Sequence, residues 1–258
     1  MKRKTFACLF LAGLIGSAAW AQTADEIIAK NLEAKGGLEK LKAVKTMRIS
    51  GKMMMGPGME APMVIETARP NKMRVEFTFQ GMTGVQAYDG TTGWMVMPFM
   101  GKKDPEPMSG DDLKMAEDQA DIDGPLVDYK EKGHQVEYLG KGEVEGTPVH
   151  KLKVTKKNGD VATLFLDADS YLEIKAEGKT KMRGQEIEGE TTFGDYKEVG
   201  GLVLAHSIQS KMKGAPGPGQ TITFEKIEIN PEIPVSRFDM PAKAPAAPET
   251  PAPKPPQQ

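Results

Sequence analysis

Residues 69–100 read Arg69-Pro70-Asn71, then Met73-Arg74-Val75-Glu76-Phe77-Thr78-Phe79, and, past a turn, Tyr88-Asp89-Gly90-Thr91-Thr92-Gly93-Trp94-Met95-Val96-Met97-Pro98-Phe99-Met100. Apolar and polar residues alternate through the first run, which is the signature of a strand with one buried face. The chain leaves a proline break, folds back, passes an Asp-Gly turn and enters a second, methionine-rich strand. Met73, Val75, Phe77 and Phe79 share a face of the first strand. Trp94, Met95, Met97 and Phe99 continue the apolar surface, and Ile49, Met53 and Met55 belong to an earlier strand. These residues are the expected wall of a hydrophobic pocket.

Both ends of the chain separate from this body. Lys2-Arg3-Lys4, the apolar run Phe6–Ile15 and the small-x-small site Ala19-Trp20-Ala21 form a secretory signal peptide over residues 1–21. The only cysteine, Cys8, lies inside it, so a mature chain from Gln22 has no disulfide framework and no thiol chemistry. Without Lys2, Arg3 and Lys4 the formal charge of −2 becomes −5, which is not the basic footprint of a nucleic-acid binder. From Pro241 to Gln258 the chain is dense in proline and alanine, a composition that favours an extended, solvated tail. Residues 22–240 are then one folded domain of ample size for a core, expected to be a monomer in the periplasm.

Within that domain Thr23-Ala24-Asp25-Glu26 is a capping box that opens a helix. Ile28 and Leu32 lie on its apolar side, Gly36-Gly37 ends it, and Leu38, Leu41 and Val44 mark a second short helical piece. From Met47 the period falls to two, and strands follow to about Phe99 with a turn at Gly56-Pro57-Gly58. Residues 101–110 read as charged, proline-broken loop. Residues 109–132 read as helix, broken at Gly124-Pro125, with an acidic side expected to face solvent. Seven further strands are expected near 134–143, 147–156, 160–167, 171–179, 182–195, 202–213 and 220–229. The sum is a mainly β (α+β) fold: a large curved antiparallel sheet forming an unclosed β-barrel of about eleven strands, with an N-terminal helix and a helical insertion available to close its mouth.

Enzyme motifs are missing: the chain has no GxSxG, HExxH, P-loop or dinucleotide fingerprint. His150 falls on an apolar strand face with Leu152 and Val154, and His206 on one with Leu204 and Ile208. Both read as core or pocket residues rather than metal ligands. No cofactor is expected. Seventeen methionines are crowded toward the first half. Adaptable packing around ligands, ordinary core filling and soft thioether ligation of Cu(I) all account for such a bias.

Arg69-Pro70-Asn71, Asp89-Gly90-Thr91-Thr92-Gly93-Trp94 and Pro98-Phe99 resemble, in the same order, the matching pieces of the LolA-like periplasmic lipoprotein carriers. Arg237-Phe238-Asp239-Met240-Pro241 is similar to that family's final Phe-containing strand. The resemblance implies an unclosed β-barrel with an apolar concave face under a helical lid. It implies a cargo of lipoprotein acyl chains or other lipids, shuttled toward the outer membrane without catalysis. An inner-membrane donor complex and an outer-membrane acceptor would be its partners. Arg69 matches the arginine that holds the family's lid closed through hydrogen bonds to lid backbone. The acidic insertion, the Met-rich hairpin and the proline tail depart from the pattern. The same fold also implies an alternative, an envelope-stress sensor that signals through a protein partner.

Overall fold

The computed structural model describes residues 22–242 except 57, 183, 184 and 218; the side chains of Met55, of residues 180–182 and of residue 185 also lie outside the description. The segment expected to be a signal peptide and the expected tail beyond Ala242 therefore fall outside the described residues. Among those residues, no helix is long and apolar enough to cross a membrane.

Two helices open the chain, α1 (Ala24–Ala34) and α2 (Leu38–Ala43). The capping box forms: the Glu26 amide donates to Thr23 Oγ1 at 3.2 Å and the Thr23 amide to Glu26 Oε2 at 3.1 Å. These bonds satisfy donors that a helix start leaves open. Six strands follow: β1 (Thr46–Gly56), β2 (Met59–Ala68), β3 (Lys72–Phe79), β4 (Met82–Tyr88), β5 (Gly93–Met97) and β6 (Lys102–Pro107). Helix α3 (Gly110–Gln119) leads through turns to β7 (Gln135–Val144), β8 (Thr147–Thr155), β9 (Val161–Asp167), β10 (Glu173–Met182), β11 (Gln185–Val199), β12 (Leu202–Met212) and β13 (Gln220–Ile229).

All thirteen strands among the described residues join one antiparallel sheet in the order β6-β5-β4-β3-β2-β1-β13-β12-β11-β10-β9-β8-β7. The chain winds out to one edge, crosses by α3 to the other, and returns until β13 pairs with β1. β6 and β7 are left as unpaired edges, so the barrel is not closed. Both halves are thus meanders of neighbours, the simplest way to pair strands without long connections.

Three expectations are corrected. The segment 101–110 is not all loop: Lys102–Pro107 is an edge strand, where prolines are tolerated because one side of the backbone has no ladder to make. The helix of the insertion stops at Gln119, and 121–133 is a series of turns held by side chains from elsewhere. Arg237-Phe238-Asp239 is not a strand but the end of a 3-10 turn over Val235–Arg237. Phe238 is nonetheless fully buried, against Ala68 and Ile233.

One face of the sheet carries the helices. Ile27 and Ile28 of α1 pack on Leu152, Val154, Leu164 and Leu166 of β8 and β9. Ala116 and Ala120, at the end of α3, pack on Met73 and Tyr88 of β3 and β4. Strand register links these residues to one another across the sheet, so both helices cover the same inner face. The outer face is polar, and the C-terminal segment crosses it. There Glu66, 3% exposed, accepts from Arg48 Nε and Arg237 Nε, each at 2.9 Å. Glu76 accepts from Arg74 Nε at 2.8 Å and Arg237 Nη2 at 3.0 Å. Trp94 Nε1 donates to the Phe238 carbonyl at 2.8 Å, completing the dock.

Candidate functional site: a lidded cavity on the inner face

Helix α3 is held close to the sheet at its start. Met108 donates its amide to the Gly93 carbonyl at 2.7 Å. A Cβ on Gly93 would stand 2.9 Å from Met108 Sδ and 3.0 Å from a Leu113 methyl. The glycine of the Asp-Gly-Thr-Thr-Gly-Trp run is what allows that approach. Asp89 organises the same turn by accepting from the amides of Thr91 and Thr92, both at 2.8 Å.

The turns that follow α3 are held by Arg69. Its Nη1 and Nη2 donate to the two carboxylate oxygens of Asp123, each at 2.5 Å. Its Nε and Nη2 also donate to the carbonyls of Val44 at 2.6 Å and Leu41 at 3.0 Å. The fork thus joins three pieces: the end of β2, the end of α2 and the turns after α3. Burial alone would raise the Asp123 carboxyl. The Arg69 hydrogen bonds and charge, with Lys132 and Lys42 nearby, outweigh it and hold the carboxyl below its ordinary value. The arginine therefore grips an acid of the insertion side chain to side chain, rather than lid backbone.

Nor is the acidic side of the insertion simply solvated. Asp118 pairs with Lys156 at 2.5 Å, and Asp121 with Lys132 at 2.6 Å. Lys114 pairs with Asp160 at 2.9 Å. Asp118–Lys156 and Lys114–Asp160 cross from α3 to the turn between β8 and β9.

Beside the α3 ion pairs lies a half-open cavity of about 490 Å³. Met115 of α3, Ile187 of β11 and Met212 of β12 supply its larger apolar surfaces. Its floor is made of small residues: Ala162, Ala176, Gly178, Gly189, Thr191 and Ser210. A Cβ on Gly178 would meet nothing nearer than 4.0 Å, and one on Gly189 nothing nearer than 3.4 Å. These glycines are not demanded by tight packing; they leave space. A second depression, about 320 Å³, lies over the same strands and is bordered by Glu177, Glu188, Glu190 and Lys211. Lys179 and Lys213 hold Glu188 there, bringing its carboxyl down to about 2. Its charges already answer one another, which leaves the inner cavity as the apolar site.

The residues expected to line the pocket are brought together on the inner face, but they do not border this cavity. By strand alternation and register Ile49, Met53, Met73, Val75, Phe77, Phe79, Met95 and Met97 face inward. Met73 is buried beneath α3, with Val75 and Met95 packed beside it; Met97 is also buried. Phe99 covers Gly84, with its ring centroid 5.4 Å from that of Phe77 and 6.3 Å from that of Phe79. Met55 lies among the side chains not described. Trp94 points the other way: it is an outer-face residue beneath Phe238, since its neighbours Gly93 and Met95 face inward. Sequence reasoning missed Asp123 and the small-residue floor. The signal for the floor was present in the alternation of Ala176 and Gly178 with Lys175, Glu177 and Lys179.

No protein-family model matches the chain, and none of the curated proteins compared is similar to it in sequence. Solved structures are similar in fold. An outer membrane lipoprotein-sorting protein domain from Vibrio parahaemolyticus superposes with a TM-score of 0.56 at 14% identity, over 83% of this chain and 95% of that one. A LolA superfamily protein from Nitrosomonas europaea gives 0.57 at 13% identity, over 85% and 98%. A DUF1329 family protein from Desulfovibrio piger gives 0.50 at 9% identity, over 83% and 96%. The open thirteen-stranded sheet, its inner face covered by α1 and α3, is the LolA-like fold.

Proposed function

We propose that this chain is a periplasmic carrier that holds the acyl chains of lipoproteins or other lipids under its lid and passes them toward the outer membrane. The observation that carries the reading is the 490 Å³ cavity between α3 and the inner face of the sheet, floored by small residues and roofed by a fastened helix. The lipoprotein-sorting domain and the LolA superfamily protein of the same fold support it, as does the apolar surface that Ile49, Met53, Phe77, Phe79 and Phe99 add on the inner face. The role is binding and transfer, without covalent chemistry.

The energetics suit reversible carriage. Burying an acyl chain gains ~0.8 kcal/mol per methylene, so one long chain gains on the order of 10 kcal/mol gross. Breaking the lid fastenings and leaving an apolar cavity open to water offset part of that gain. A carrier needs the remainder to be moderate, or its cargo would never leave.

The test is native mass spectrometry of the mature protein drawn from its own periplasm, followed by lipid extraction. A lipid or acylated peptide bound at defined stoichiometry supports carriage. A protein that arrives empty and ignores added lipid removes the proposal.

A further inference from the structure

Exposed methionines gather at one end of the barrel. By strand order the turns β1–β2, β3–β4, β5–β6 and β12–β13 lie side by side at the end away from Arg69. Met59, Met82, Met100 and Met212 stand one at each of these turns, between 36% and 69% exposed. Met82 pairs with Phe79, and Met212 with Gly189 of the cavity floor. The apolar inner face therefore runs out to this rim rather than stopping short of it.

Charge separates the two ends. Turn residues 57–58, 80–81, 98–101 and 213–219 contain no acid, although the chain has 36 Asp and Glu. The turns at the opposite end carry Asp89, Glu145 and Asp169. Beside the methionine rim, Lys102 and Lys213 are answered by Glu106 and Glu188. Lys103, Lys157 and Lys211, at the same end, are exposed and form no ion pair among the described residues.

Thioethers on glycine and proline turns cost little to desolvate, and turn backbone stays satisfied in the hydrated headgroup layer of a bilayer. A folded protein partner needs contiguous area, about 800 Å² a side, but these side chains are strung along a curved edge, one to a turn. A soft layer of lipid can meet them together. The chain is acidic overall, so an anionic surface repels the rest of it and admits this end.

We propose that the methionine rim docks this protein directly on anionic phospholipid bilayers, with Met59, Met82 and Met100 seated among the headgroups and the inner face opening toward them. This goes beyond the carrier reading, and its test needs no cargo.

The chain from Gln22 onward has no cysteine, which allows single-site labels. Flotation of that chain with vesicles of phosphatidylethanolamine and phosphatidylglycerol is expected to carry it upward. Met59→Ser with Met82→Ser and Met100→Ser should lower the affinity roughly tenfold, with the melting temperature unchanged because all three side chains are already exposed. Vesicles of phosphatidylcholine alone should bind roughly fivefold more weakly. An environment-sensitive fluorophore on Met82→Cys or Met100→Cys should shift to the blue in the floated fraction. One on Leu38→Cys should not, since α2 lies by the β11–β12 turn at the other end, where Lys40 Nζ meets the Gly201 carbonyl. No flotation, or undiminished flotation of the triple serine variant, overturns the rim as a docking surface. A shift at Leu38→Cys as large as at the rim overturns the orientation, and equal binding to phosphatidylcholine overturns the charge argument. In each of these cases a lipid can still be held in solution, so the carrier reading stands or falls by its own measurement.

Discussion

Arg69 and Asp123, 54 residues apart in the chain, meet as fork and carboxylate, with both guanidinium nitrogens 2.5 Å from the two oxygens. The same guanidinium reaches the last carbonyls of α2, so one side chain ties the turns after α3 to both the sheet and the N-terminal helices. Bidentate charge-assisted bonds of this kind are the strong ones, and Lys cannot reproduce the fork. Arg69→Leu is therefore expected to lower the unfolding free energy by roughly 2–3 kcal/mol. Amide exchange should rise selectively over residues 110–133, with Arg69→Lys in between. Unchanged protection of the lid in Arg69→Leu would show that the contact is not a latch.

The Arg69–Asp123 contact should not respond to mild acid. Asp123 has its carboxyl held below the ordinary value of 3.8. A depressed acid contributes its stability above the unfolded value and loses it as pH falls through the folded one. Lid protection factors, corrected for the intrinsic pH dependence of amide exchange, should thus be level from pH 8 to pH 5 and fall only below about pH 4. A loss of protection near pH 6 would point to a histidine instead.

His150 supplies the contrasting case. It is buried beneath α1, stacked on Tyr171 with centroids 5.2 Å apart, and bonded through Nδ1 to the Tyr138 hydroxyl at 2.8 Å. Burial lowers it, and Lys141 and Lys30 push the same way; burial first, then Lys132 and Lys156, lower His134 as well. A histidine held neutral in the fold keeps full stability above its unfolded value of 6.5, and stability falls as pH drops below that. Melting temperature should decline between pH 7 and pH 5. His150→Gln together with His134→Gln should flatten that slope; a slope that persists in the double variant assigns it to other groups.

Alternation along the sequence located nearly every strand because one face of each is covered, and burial enforces period two. It failed at β6, where Pro105 and Pro107 read as breakers, because nothing local says that a segment is an edge. The insertion misled for a related reason. Its turns from 121 to 133 are held by Arg69 and by Asp25, which accepts from the Tyr129 hydroxyl at 2.6 Å, and such distant partners leave no periodic trace. Arg69 was found by its motif, but its partner was hidden among six acids. The cavity was sought where side chains are large, yet large side chains such as Met73 and Phe99 fill space. The opening lies where they are small, at Ala176, Gly178 and Gly189, and that is read only once the sheet has brought the three together.

Glu66 anchors the C-terminal segment from the outer face. It is buried while its partners Arg48 and Arg237 are about a third exposed, so removing the acid strands charges that water still reaches in part. The loss from Glu66→Ala is expected near the low end for a broken buried pair, about 3 kcal/mol. The effect should appear with loosening of residues 233–240 and increased exposure of Trp94 to a collisional quencher. A destabilised variant in which Trp94 stays shielded would separate the ion cluster from the docking of Phe238.

The two ends of the lid should respond differently to salt. Arg69–Asp123 is partly buried and joined by carbonyl bonds, whereas Lys114–Asp160 and Lys156–Asp118 lie nearer the surface, with exposures between 17% and 37%. Pairs of that kind contribute about 0.2–1 kcal/mol each and are screened at high ionic strength. Lys114→Ala with Lys156→Ala should then speed exchange in α3 by roughly two- to thirtyfold at low salt. At 1 M salt the difference from the unaltered protein should nearly vanish, while the effect of Arg69→Leu persists. If both ends lost protection together in the double lysine variant, at either ionic strength, the lid would open as one rigid piece, and the surface pairs would share with Arg69 the work of keeping it closed.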